Sequence, residues 1–153
     1  MALPSFDWAL TGEHLISVGV AYVLALPIGW SWEKIRHNSG LRTFPLVAVA
    51  SCSYVLIAKH VMGPGNPNLD RVIQGLMTGI GFIGGGAIFR QGANVRGTST
   101  AASLWCVGAL GGAAACGAWD IAVLLGLVNL ATLRLLRPFK EMIDSTPAER
   151  NGL

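Results

Sequence analysis

The chain has 153 residues, 52% of them apolar and 12% charged, with a formal net charge of +3. A length of this order fits one domain, and an apolar share this high with so few charges makes lipid the expected solvent. No basic cluster with interleaved aromatics is present, so nucleic acid is excluded as a partner and the small positive balance reads as a topology signal.

Met1 to Glu13 holds Asp7 and Glu13 but neither Lys nor Arg. It lacks the basic start of a cleavable signal peptide, so the first apolar run is expected to stay in the chain. A membrane span needs about 20 mostly apolar residues, and five such runs follow, over 14–33, 44–62, 72–89, 99–117 and 119–136. Lipid offers the backbone no hydrogen-bond partner, so each is expected to be a helix. The predicted fold is an all-α integral membrane bundle of five transmembrane helices. Pro27 is expected to kink the first, and Asp120 to cap the fifth after a minimal turn at Gly117 and Ala118. Residues 138–153 are charged and lack an apolar stripe, so they are expected to form a short cytosolic tail without a folded domain.

Of the 11 Lys and Arg residues, all but Lys59 and Arg71 fall on one side of these five spans. Such a bias places the N-terminus outside and the C-terminus in the cytosol. Lys59, His60 and Arg134 stand where long side chains reach the interface, and Trp30, Trp32 and Trp119 fit interfacial belts. The three cysteines, Cys52, Cys106 and Cys116, lie in apolar runs and are expected as small buried hydrophobes. His14, His37 and His60 form no metal pair in the sequence.

The third run is rich in glycine. Gly79, Gly81 and Gly84 spell G-x-G-x-x-G, but no strand precedes them and no acid follows at the distance a dinucleotide site requires. At 100° per residue Gly75, Gly79 and Gly86 share one stripe, while Gly81, Gly84 and Gly85 share an arc opposite. Two bared faces predict a central helix with neighbours on both sides. The fourth run presents a matching stripe of Ala101, Gly108, Gly112 and Ala115, which makes these two the expected intimate pair. An alternative is that the glycines at 84–86 break the helix and line a path with carbonyls.

Between these runs lies "RQGANVRGTSTAASLW". Thr98, Ser99 or Thr100 can cap the fourth helix, and its free N–H groups, with Arg90, Arg96 and Asn94, would suit an anion such as a lipid phosphate. The competing reading is a topology-setting basic loop.

The stretch "GIGFIGGGAIFRQGANVRGTSTAASLWC", the earlier "GLRT" at Gly40 to Thr43 and the spacing from Arg71 to Gly79 together resemble the MgtC/SapB family of bacterial inner-membrane proteins, over roughly 15–136. The chain departs from the family at Ser31-Trp32-Glu33, where only the last acid of an acidic-basic-acidic triplet remains, at Gln74, one position from the family's glutamine, and at Gln91, where an acid is frequent. The resemblance implies a multi-pass protein of the bacterial plasma membrane, needed for growth in low magnesium or in host phagocytes. It also implies contact with the membrane sector of the F-type ATP synthase and effects on ion balance. Carried over residue by residue, it marks Glu33, Arg42, Thr43, Arg71, Arg90, Asn94, Arg96, Gly97 and Thr100, with Asn94 matching the family's sensitive loop asparagine.

A magnesium path would need oxygen ligands, usually with carboxylates contributing, yet none of the eight acids falls mid-span, and Glu33, Asp70 and Asp120 lie at or beyond span ends. No P-loop, H-E-x-x-H or G-x-S-x-G is present. The expected protein is therefore a non-enzymatic regulator, without cofactor or metal, that binds lipid and other membrane proteins and self-associates through small-residue stripes. A carrier or channel for cations or a small solute is the alternative.

Overall fold

The computed structural model describes residues 7–36, 40–63, 65–92 and 94–136. Five helices run in chain order, α1 Trp8–Arg36, α2 Gly40–Met62, α3 Leu69–Gly86, α4 Thr98–Ala115 and α5 Trp119–Leu135, with a small hairpin of β1 Phe89–Gln91 and β2 Asn94–Arg96 between α3 and α4. The all-α expectation holds for the bundle. Two helices, over Trp8–Lys34 and Gly40–Met62, are long and apolar enough to cross a membrane. The tail at 138–153 and His37 lie outside the described residues.

Element ends moved where local chemistry overrode hydropathy. The third helix stops at Gly86 instead of 89, because residues 89–91 pair with 94–96 in the hairpin. The second begins at Gly40, so that Pro45 sits inside its second turn and is buried. Asp120 is not the cap of α5. Ala118 holds that position without a side-chain bond, and Asp120 stands in the first turn, where its charge favours the positive end of the helix dipole.

The helices alternate in direction. Lys59 Nζ, near the end of α2, donates to the Ala115 carbonyl at the end of α4, 2.9 Å away, so these two run parallel. That bond corrects the reading of Lys59 as an anchor reaching for the interface, since it satisfies an orphan carbonyl of α4. Lys34, Arg42, Arg90, Arg96 and Arg134 consequently share one end of the bundle, and Lys59 and Arg71 the other.

The expectation of a central third helix is overturned. The hub is α4, which packs on all four other helices, whereas α3 packs mainly on α4 and α2. Only Ile80 and Gly84 of α3 are buried. Gly84 meets Ala101, Gly81 meets the Trp105 indole, and Ile80 fills the notch at Gly108, so the predicted α3–α4 pairing is present on that one face. A β-carbon on Gly75, Gly79, Gly85, Gly86 or Gly112 would touch nothing within 4 Å. The glycine pattern read as two packed faces is thus one packed face and one open one. Nor is the helix broken at 84–86: Ala87 N–H bonds to the carbonyls of Ile83 and Gly84, and Ile88 N–H to that of Gly85, each at 3.1 Å.

Other close backbone approaches join α2 to α1 and to α4. A β-carbon on Gly29 would stand 2.8 Å from the Gly40 carbonyl oxygen, and one on Gly40 would stand 2.7 Å from that of Gly29. This fixes the α1–α2 crossing. Beside it Trp32 is 5% exposed and stacks on Phe44, ring centroids 6.0 Å apart at 7°. It is core, not interfacial belt, while Trp30 and Trp119 are exposed as expected. Gly111, one position from the expected stripe member, seats α4 against the Ala48 carbonyl of α2.

Candidate functional site

The marked residues fall into two groups at the basic end, with one left out. At the α1–α2 corner, Glu33 Oε2 accepts the Leu41 N–H at 3.2 Å. A carboxylate there satisfies an orphan donor of α2 and complements its dipole. Arg42 and Thr43 follow in the first turn of that helix, Arg42 exposed and Thr43 half-buried. Arg71 is separate, in the first turn of α3 at the opposite end.

The second group is the hairpin and the start of α4. Its register pairs Phe89 with Arg96, Arg90 with Val95 and Gln91 with Asn94. A chain that leaves α3 and must re-enter as α4 within a dozen residues needs a sharp reversal, and Gly92 supplies it with φ +63. Arg90 Nε donates to the Gly92 carbonyl at 3.1 Å, which ties the arginine to its own turn. All six hairpin residues are exposed. Gly97 then enters α4 with φ 91, and a β-carbon there would strike the Ala87 carbonyl. It is the N-cap residue, its carbonyl accepting Ala101 N–H at 2.9 Å. The expected cap from Thr98, Ser99 or Thr100 is therefore corrected, since no side-chain oxygen bonds to the helix start. Thr100 is half-buried in the first turn.

Two exposed guanidiniums and an amide on one hairpin can grip an anionic or carbonyl-bearing surface. Among the described residues, no group of three or more His, Cys, Asp or Glu could hold a metal ion.

A model of the MgtC family matches residues 18–142. The chain belongs to the MgtC family. It is 38% identical to the MgtC protein of Brucella abortus over 95% of this chain and 60% of that one. Identity is 32% to the MgtC protein of Salmonella typhimurium, over 91% of this chain and 59% of the relative. An uncharacterized Synechocystis protein is 33% identical over 92% of this chain and 59% of its own length. The chain thus spans about 60% of the length of the curated relatives it matches. No solved structure matches.

Sequence reasoning missed three features of this MgtC-family bundle. Asn129 of α5 and Ser103 of α4 are both buried, Ser103 Oγ donating to Asn129 Oδ1 at 3.0 Å and Asn129 Nδ2 to the Ser103 carbonyl at 3.3 Å. A lone amide inside an apolar run is uncharged, so Asn129 gives none of the signal that an ionisable group gives there. His14 and His60, read as scattered, meet edge to face with ring centroids 6.4 Å apart. Cys116, expected buried, is exposed in the turn after α4, whereas Cys52 is buried and Cys106 half-buried.

The Ser103–Asn129 pair has a measurable weight. Interhelical hydrogen bonds in membranes contribute about 0.6 kcal/mol on average and up to about 2. A double-mutant cycle with Ser103→Ala and Asn129→Leu, read by unfolding in detergent, is expected to give a coupling in that range. Strict additivity of the two changes would mean that the bond carries no stability.

Proposed function

We propose that this MgtC-family chain is a non-enzymatic, multi-pass protein of the bacterial inner membrane that acts by binding other membrane proteins through the open face of α3, and that it self-associates there. The reading takes the basic end as cytosolic, with the N-terminus outside. All five helices cross, with α3, α4 and α5 seated as shorter spans, about 26–27 Å each at 1.5 Å per residue, against α1 and α2.

One observation carries it. A β-carbon on Gly75, Gly79, Gly85 or Gly86 of α3 would meet nothing within 4 Å, and open grooves flank the helix, one of about 460 Å³ where Gly75 and Gly79 look toward Val47 and Tyr54 of α2 and one of about 350 Å³ against Trp105 and Ala109 of α4. In lipid, helices associate by close backbone approach at small residues, so this face suits the helix of another protein or a second copy. By resemblance the first partner to test is the membrane sector of the F-type ATP synthase, and the cellular role is adjustment of ion balance in low magnesium or stress. Asn94 with Arg90 and Arg96 would steer the partner from the cytosolic side, where the hairpin also meets lipid headgroups. Glu33 holds the start of α2 through the Leu41 N–H and Gly97 the start of α4, while Thr43, Arg71 and Thr100 stand in the first turns of α2, α3 and α4.

Reconstitution into liposomes tests it against the carrier alternative. The expected result is vesicles without ion flux, together with a membrane complex that co-purifies from cells and is lost with Gly85→Leu or Asn94→Ala. Ion flux abolished by those same two changes would overturn the reading in favour of transport.

A further inference from the structure

At the basic end, away from the hairpin, a groove of about 770 Å³ opens between α1, α2 and α5. Arg42 from the first turn of α2, Arg134 from the last turn of α5 and Trp30 of α1, all near the basic end, line it. Its floor is apolar, running past Pro27 and Leu46 to Tyr22. Among the described residues no carboxylate lines it. The acid nearest to Arg42 in sequence, Glu33, is bonded to the Leu41 N–H. Lys34 Nζ lies 5.6 Å from the Trp30 ring centroid and places a third cation beside the same indole. Among the described residues no ion pair neutralises either arginine.

Two arginines on separate helices that line one largely apolar groove form a mixed site. A free anion would use the arginines and leave the trench wet, whereas an apolar partner would leave two charges without counter-ions. One molecule satisfies both halves, a phosphodiester headgroup carrying an acyl chain. From Trp30 to Tyr22 the helix descends about 12 Å at 1.5 Å per residue, which takes the trench below the headgroup level into the acyl region. Basic pockets between transmembrane helices on the cytosolic side bind anionic headgroups in this way, and arginine matches phosphate with two parallel N–H bonds where lysine offers a point charge. We propose that this groove is a binding site for one anionic phospholipid of the inner leaflet, its phosphate held by Arg42 and Arg134 and one acyl chain lying along Pro27, Leu46 and Tyr22. The site is independent of any protein partner on α3.

Trp30 is a built-in reporter. With the full chain in bilayers, the Trp30 component of fluorescence, taken as the difference from Trp30→Phe, is expected to be quenched by acyl-brominated phosphatidylglycerol at a mole fraction on the order of tenfold lower than by brominated phosphatidylcholine. Arg42→Gln with Arg134→Gln is expected to abolish that preference while leaving quenching by the zwitterionic lipid unchanged, which also shows that the fold persists. Arg90→Gln with Arg96→Gln removes the same charge and is expected to leave the preference in place. Equal loss from both pairs would reduce the effect to a diffuse field and overturn the site, as would no preference in the unaltered chain. Displacement of the brominated anionic lipid by millimolar inorganic phosphate would assign the arginines to a free anion instead.

Discussion

Gly97→Ala is expected to cost this bundle more than any other single methyl group added to the connection between α3 and α4. Two penalties meet at that position. A φ of 91 lies in the left-handed region, where an L side chain costs about 1–2 kcal/mol. The added β-carbon also falls on the Ala87 carbonyl, a backbone atom at the C-cap of α3. Backbone cannot swing aside as a side-chain tip can. Relief requires either α3 or α4 to shift, and those helices are already pinned by Gly84 on Ala101 and Ile80 on Gly108. The control is Gly92→Ala in the same loop. With φ +63 and nothing within 4 Å of its β-carbon, Gly92 carries the conformational penalty alone. Thermal unfolding in detergent is expected to show a loss of about 1 kcal/mol for Gly92→Ala and at least about 3 kcal/mol for Gly97→Ala, where overpacking adds to strain. Equal losses at the two positions would mean that the α3–α4 junction yields freely and that Gly97 matters only for its φ. A residue marked by resemblance as functional thus has a complete structural reason to be glycine. Its tests must separate failure to fold from failure to act.

What the sequence made legible, and what it hid, follows from the range of each interaction. Five apolar runs, their direction of travel and the basic end could be read because each depends on the local hydropathy or on the count of charges in a loop. The α3–α4 pairing could be read because both helices carry small residues at helical spacing. The hub could not. A glycine stripe reports that a backbone has no side chain in the way, and that condition is met equally by a helix wedged in the centre and by one whose face awaits a partner. Gly79 and Gly111 look alike in the sequence, yet one faces open space and the other the Ala48 carbonyl. The Gly29–Gly40 contact was hidden for a related reason: Gly29 ends a small-residue stripe with Ser17, Ala21 and Ala25, but which residue meets it depends on the angle between α1 and α2. At the candidate site the residue types were legible, but the hairpin that displays Arg90, Asn94 and Arg96 was not. Three-residue strands carry no alternation long enough to read, and their pairing is dictated by Gly92 and by where α3 stops.

Adding a methyl group to α4 and to α3 is expected to change stability with opposite signs. On α4, Gly111→Ala drives a β-carbon into the Ala48 carbonyl and to 3.0 Å from the Ser51 β-carbon. The helix-propensity gain of about 1 kcal/mol is then outweighed by overpacking of about 1–3 kcal/mol at the junction of the hub with α2. Gly111→Leu is expected to prevent assembly of the bundle. On α3, Gly85→Ala meets nothing within 4 Å, so the propensity gain stands by itself and stability rises by up to about 1 kcal/mol. Gly85→Leu is expected to leave the bundle intact by the same measurement and to remove self-association or partner capture, because the open face is then closed by a side chain. This pair of results separates the two meanings of a glycine-rich helix. A bundle that tolerated Leu at 111 and collapsed with Leu at 85 would return α3 to the centre and withdraw the open face on which partner binding depends. Stability unchanged at 85 with partner capture also unchanged would keep the fold and move the binding surface elsewhere. The decisive quantity is therefore the sign of the stability change at 85, read beside the fate of the complex.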